Sequence, residues 1–83
     1  MQITLKRGTR VRFHEGDESV KIGAVRELGS FTNSKLCNIP PGATNSYAVE
    51  VDHLLEPGTY FFSSPSRERC LGGRTLMIAI DDE

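Results

Sequence analysis

Chemistry in this chain would have to come from a serine-rich run, two histidines and two cysteines. Ser63, Ser64 and Ser66 lie in a polar stretch that ends Arg67-Glu68-Arg69-Cys70. A serine nucleophile needs a neighbouring base and a sharp turn to present its hydroxyl. No Gly-x-Ser-x-Gly elbow surrounds these serines, and no histidine is placed to act as base. Turn-type hydrogen bonding is their ordinary role. His14 and His53 are the only imidazoles. A metal site built on them requires that they converge, together with Asp17 or Asp52. The plainer reading is two exposed histidines at strand ends. Since no catalytic constellation can be assembled, the chain is expected not to be an enzyme.

The elements that would position these residues are strands. Polar and apolar residues alternate through Ile3 and Leu5, Val11 and Phe13, Val20 and Ile22, Tyr47 to Val51, Tyr60 to Phe62, and Leu76 to Ile80. This period of two is the mark of half-buried strands, and helical periodicity is absent. Gly8, the run Glu15-Gly16-Asp17-Glu18, and Pro57-Gly58 punctuate the strands as turns. The stretch from Glu27 to Ser46 is weakest for strand because Gly29, Asn33, Asn38, Pro40, Pro41, Gly42 and Asn45 all favour turns. Six to seven short strands predict an all-β sandwich or barrel. In the run Tyr60, Phe61 and Phe62, alternation is expected to bury either Tyr60 and Phe62 or Phe61 in the core.

At 83 residues the chain reads as one domain spanning 1–83. A net charge of −1 lacks the Lys/Arg excess of a nucleic-acid or membrane-surface binder, so no nucleic-acid partner is expected. No apolar run approaches the ~20 residues of a membrane span. Met1-Gln2-Ile3 leads directly into the alternation, which reads as no signal peptide and leaves a cytoplasmic protein or a domain cut from a longer precursor.

Ile3-x-Leu5, Gly8 and Val11-x-Phe13 resemble the first hairpin of cupredoxins. Pro57-Gly58-x-Tyr60-Phe61, Cys70, Gly73 and Leu76-x-Ile78-x-Ile80 resemble the end of the phytocyanin branch of that family, and Cys37-Asn38 resembles its middle cysteine. The resemblance implies a small Greek-key β-sandwich, with a disulfide between Cys37 and Cys70. Such a bridge closes a loop of roughly 34 residues, worth about 4 kcal/mol in the chain-entropy model. It would favour an extracellular or other oxidising compartment; the alternative is two free thiols in a reducing one.

Phytocyanins hold one copper through His, Cys, His and an axial Met or Gln, because the ion needs a thiolate and two imidazoles in a near-trigonal plane. At the corresponding positions this sequence has Ser63 for the cysteine, Arg69 for the histidine before the second half-cystine, Glu18 for the early histidine, and Arg74 near the axial position. A hydroxyl does not replace a thiolate, and a guanidinium stays protonated and repels a cation. The resemblance therefore implies the scaffold with its ligands lost and no cofactor. Glu18 and Arg69, at the two former histidine positions, are expected either to pair in the empty site or to be unrelated surface charges.

The leading expectation is a copper-free recognition module. Its loops Glu15–Ser19 and Ser63–Gly73, with Glu18, Ser63, Arg67 and Arg69, would meet a protein or glycan partner. A second is a metal-binding or electron-transfer protein using His14, His53 and carboxylates. A third is a small SH3-like barrel whose first hairpin runs from Gly8 to Val25 and which binds protein or RNA. Lys6, Arg7, Arg10 and Arg12 form a small basic cluster, read as a solvated strand face beside carboxylates of a neighbouring strand.

Overall fold

The computed structural model describes residues 2–14, 24–38 and 46–82. Its seven strands are β1 (Gln2–Lys6), β2 (Arg10–Arg12), β3 (Ala24–Glu27), β4 (Ser46–Ala48), β5 (Asp52–Leu54), β6 (Gly58–Ser63) and β7 (Thr75–Asp81). They form a five-stranded sheet in the order β1-β7-β6-β3-β4 and a two-stranded sheet of β2 and β5. The domain is a small all-β sandwich, as the alternation predicts.

Side-chain alternation makes the two layers face each other. On β6, Tyr60 and Phe62 point to one side, where Tyr60 pairs in register with Ile78 and Phe62 with Leu76. Phe62, Ile78 and Ile80 meet Val11, Phe13 and Leu55 there as one buried cluster. Phe62 stacks on Tyr60 with centroids 6.0 Å apart and meets Phe13 at 5.0 Å. Each fully buried side chain of this kind contributes roughly 1.5–3 kcal/mol from lost contact with water. Phe61, one residue out of phase, belongs to the opposite face and packs on a second cluster of Leu28, Cys37 and Cys70.

Two expectations are corrected. First, β1 and β2 are not a hairpin pair: β1 runs parallel to β7, while β2 pairs antiparallel with β5. The chain changes layers at the turn between them, where Gly8 takes φ +90° and Thr9 N–H bonds the Lys6 carbonyl at 3.1 Å. An L side chain is costly at that φ. The SH3-like hairpin is likewise not formed among the described residues, because β3 pairs with β4 and β6 rather than with β2.

Second, the chain does contain helix. Short helices α1 (Phe31–Leu36) and α2 (Arg67–Leu71) occupy segments read as turn and loop. Both are too short for apolar periodicity to register, and both depend on end signals. Ser30 Oγ accepts from Asn33 N–H and Ser66 Oγ from Arg69 N–H, satisfying donors that a helix start leaves unpaired. Among the described residues no helix is long and apolar enough to cross a membrane, which says nothing of β-barrel crossing.

Candidate functional site

The helical side of the five-stranded sheet is organised by one covalent bond. Cys37 caps the C-terminus of α1 in the left-handed conformation, φ 53°, and Cys70 lies within α2. The two form a disulfide with Cα atoms 5.8 Å apart. Both half-cystines are buried with Leu28 beneath them. The bridge agrees with the pairing expected and is compatible with an oxidising compartment.

Around this buried bridge the surface is apolar and cationic. Phe31, Leu36 and Leu71 are 66%, 51% and 58% exposed. Leu36 and Leu71 directly follow the chain into and out of the half-cystines, and the Phe31 ring meets Phe61 edge-on with centroids 6.2 Å apart. Lys35, Arg67 and Arg74 are exposed, and Arg69 is half-buried. Arg74 is held beside α2 by its N–H bond to the Arg69 carbonyl at 3.1 Å. Among the described residues none of these four cations is in an ion pair, and Glu68 is the only carboxylate on α1, α2 or the turn after α2.

Two cations elsewhere are matched. Just past the ends of β1 and β7 in the five-stranded sheet, Arg7 pairs with Asp82 at 3.1 Å, and in the two-stranded sheet Arg12 Nε pairs with Asp52 at 2.9 Å across β2 and β5. The basic cluster near the N-terminus is thus a solvated surface spread over both sheets, with two of its cations matched to carboxylates.

Ser63 closes β6 rather than opening a loop. It is 3% exposed, and its hydroxyl donates to the Ser64 carbonyl at 2.7 Å. Ser64 is buried as well and accepts from Ser66 N–H. Neither serine reaches solvent as a contact residue. Arg67 and Arg69 lie on α2, so that part of the expected loop is a helical turn. Glu18 and the loop Glu15–Ser19 lie outside the described residues, and with them the expected Glu18–Arg69 pair.

The two histidines do different things. His14 Nδ1 faces the Glu50 carboxylate at 3.1 Å on the surface. His53 Nε2 bonds the Ala48 carbonyl at 2.8 Å, and its ring lies edge-on to Tyr47 with centroids 5.4 Å apart. Among the described residues no three of His, Cys, Asp and Glu come together.

Tyr47 Oη donates to Glu27 at 3.4 Å, and Tyr60 Oη to the Glu56 carbonyl at 2.7 Å. Burial pushes both phenols above their ordinary value of 10.0, and the negative charge of Glu27 adds to the shift.

No family model matches the chain. It is similar to short stretches of hemocyanin. It is 35% identical to "Hemocyanin 2" of Megathura crenulata and 29% to "Hemocyanin 1" of the same organism, each over 83 residues, or 99% of the chain. The chain spans about 2% of the length of these curated relatives. The hemocyanin match therefore concerns a small part of each relative.

The exposed apolar trio was missed by reasoning from strand alternation. Its signal is present: Gly29-Ser30 before Phe31, Ser66 before Arg67-Glu68-Arg69, and Gly72-Gly73 afterwards are helix start and stop signs.

Proposed function

We propose that the chain is a copper-free, cupredoxin-like recognition module, non-catalytic, which meets a protein or glycan partner. The observation that carries this reading is the fate of the donor positions. At the position where the resemblance calls for a thiolate, Ser63 is buried and its hydroxyl is already engaged by the backbone. Both cysteine sulfurs are joined in the disulfide, so no thiolate is on hand. The Arg69 guanidinium at a former imidazole position carries a fixed positive charge. The residues present do not fit a blue-copper ion, whose ligand set requires a thiolate and two imidazoles.

What remains is a sandwich whose bridge anchors two short helices, with polar and apolar side chains displayed beyond it. Binding residues commonly sit on such connections between rigid strands. The hemocyanin match covers a small fraction of those proteins, which supports a part-role within a larger function rather than the whole activity of the relatives.

Titration with copper(II), followed by absorbance and by histidine chemical shifts, tests the reading. No charge-transfer band and unmoved His14 and His53 resonances at stoichiometric metal are expected. An intense band, or both imidazoles shifting together, overturns it in favour of a metal protein built on His14, His53 and carboxylates.

A further inference from the structure

We infer that the surface over the Cys37–Cys70 bridge docks an acidic, apolar segment of another protein. Resting on the recognition reading above, this names where the module binds and the chemistry of what it takes.

Phe31, Leu36 and Leu71 expose more than half of their surface although all three are large and apolar. They are gathered near one bridge. Leu36 precedes one half-cystine and Leu71 follows the other, and the half-cystine Cα atoms are 5.8 Å apart. Phe31 leans on Phe61, which packs on the same buried cluster. Exposed apolar side chains held by one rigid element and bordered by polar groups are what a protein contact site presents. The disulfide fixes the two helices before any partner arrives, so less ordering entropy is lost on binding.

The rim sets the partner's charge. Lys35, Arg67, Arg69 and Arg74 are without ion-pair partners among the described residues, against a single local carboxylate, Glu68. Arg7 and Arg12, elsewhere on the domain, are matched to aspartates. Unmatched cations around an apolar centre complement carboxylates placed around apolar anchors. A sulfated glycan would use the cations and leave Phe31, Leu36 and Leu71 bare. An anionic membrane would be approached by a chain with net charge −1, whose remaining charge is negative once this basic end is set aside.

The test is selection of random twelve-residue peptides, displayed on phage, against the disulfide-intact domain. Peptides combining Asp or Glu with Leu, Ile, Phe or Trp are expected to enrich. Synthetic copies should shift amides of residues 31–37 and 67–74. Their affinity should fall by about tenfold or more in a Leu36→Ser, Leu71→Ser variant, as for loss of interface anchors. It should also weaken in an Arg67→Glu, Arg74→Glu variant and with added salt. The second variant changes only exposed residues, so it reports on binding if the first is poorly folded.

Enrichment of basic or uncharged peptides, shifts mapping elsewhere, or no enrichment overturns the inference. So does heparin binding that the leucine variant leaves intact, binding to phosphatidylserine vesicles lost in the leucine variant, or self-association lost in that variant. An empty selection with a silent copper titration removes this surface and leaves the module reading standing. A copper band removes the module reading whatever the peptides do.

Discussion

Cys37 and Cys70 join the C-cap of one helix to the interior of another across a sequence separation of 33 residues. Neither helix is long enough to stand in water alone. The bond therefore holds in place the secondary structure on its side of the sheet.

Reduction should cost much of the domain's stability. Intact-mass measurement before and after reductant should show a gain of about two mass units, from two added hydrogens. Urea unfolding of a Cys37→Ala, Cys70→Ala variant should lose about 4 kcal/mol or less by the chain-entropy model. Unchanged mass on reduction under denaturing conditions would show that the bridge is absent.

The two buried clusters should respond separately to truncation. Phe62→Ala removes the ring at the centre of the main core and should cost about 3–5 kcal/mol. Against a total stability of about 5–15 kcal/mol, this leaves a broadened or missing unfolding transition. Leu28→Ala empties the floor beneath the disulfide and should cost about 2–5 kcal/mol. Its distinct sign is faster reduction of Cys37–Cys70 by dithiothreitol in native buffer. Equal reduction rates in the two variants would contradict the separation.

Helix capping should be measurable at Ser30. Its Oγ accepts from Asn33 N–H at 3.1 Å, and Asn33 Nδ2 in turn donates to the Leu28 carbonyl at 2.8 Å. Ser30→Ala should destabilise by about 1 kcal/mol in urea unfolding, and Ser30→Gly by only a few tenths. Two substitutions of equal cost would mean that the hydroxyl is not acting as a cap.

Alkaline pH should unfold the domain through its tyrosines. Burial first, and then Glu27, hold the Tyr47 proton on beyond the ordinary value of 10.0. The unfolded chain gives up that proton earlier. The stabilisation is complete below pH 10.0 and is lost as pH rises through the raised folded value. In a Tyr60→Phe background, tyrosinate absorbance should report Tyr47 alone. Adding Glu27→Gln should lower its midpoint part of the way, since burial is the larger cause. A midpoint that stays put would remove Glu27 from the account.

The strands were legible because the period of two reports burial directly. Tyr60 and Phe62 fall on one face and Phe61 on the other, as alternation requires. Pairing was less legible. Val11-x-Phe13 reads as the neighbour of Ile3-x-Leu5, yet the turn at Gly8 carries the chain between layers, and no local pattern encodes which distant strand will receive it. The disulfide followed from two cysteines and a resemblance. Alternation hid the helices, since stretches of six and five residues hold too few turns for a period to appear. The burial of Ser63 was not legible, because it comes from its position at the end of β6, where strand pairing continues to Thr75.

The parallel pairing of β1 with β7 has a mechanical consequence. Gln2 lies beside Met77 and Lys6 beside Asp81, so the outer ends of the two strands are separated along the sheet by the length of the ladder. At a rise of about 3.3 Å per residue this distance is roughly 13 Å. Tension applied between Gln2 and Asp81 drags the strands lengthwise past each other. The rungs of that ladder then take the load together instead of opening one at a time as a zipper does. The domain should resist stretching along this direction far better than pulling across the β3–β4 edge, a contrast that single-molecule force measurements would read directly.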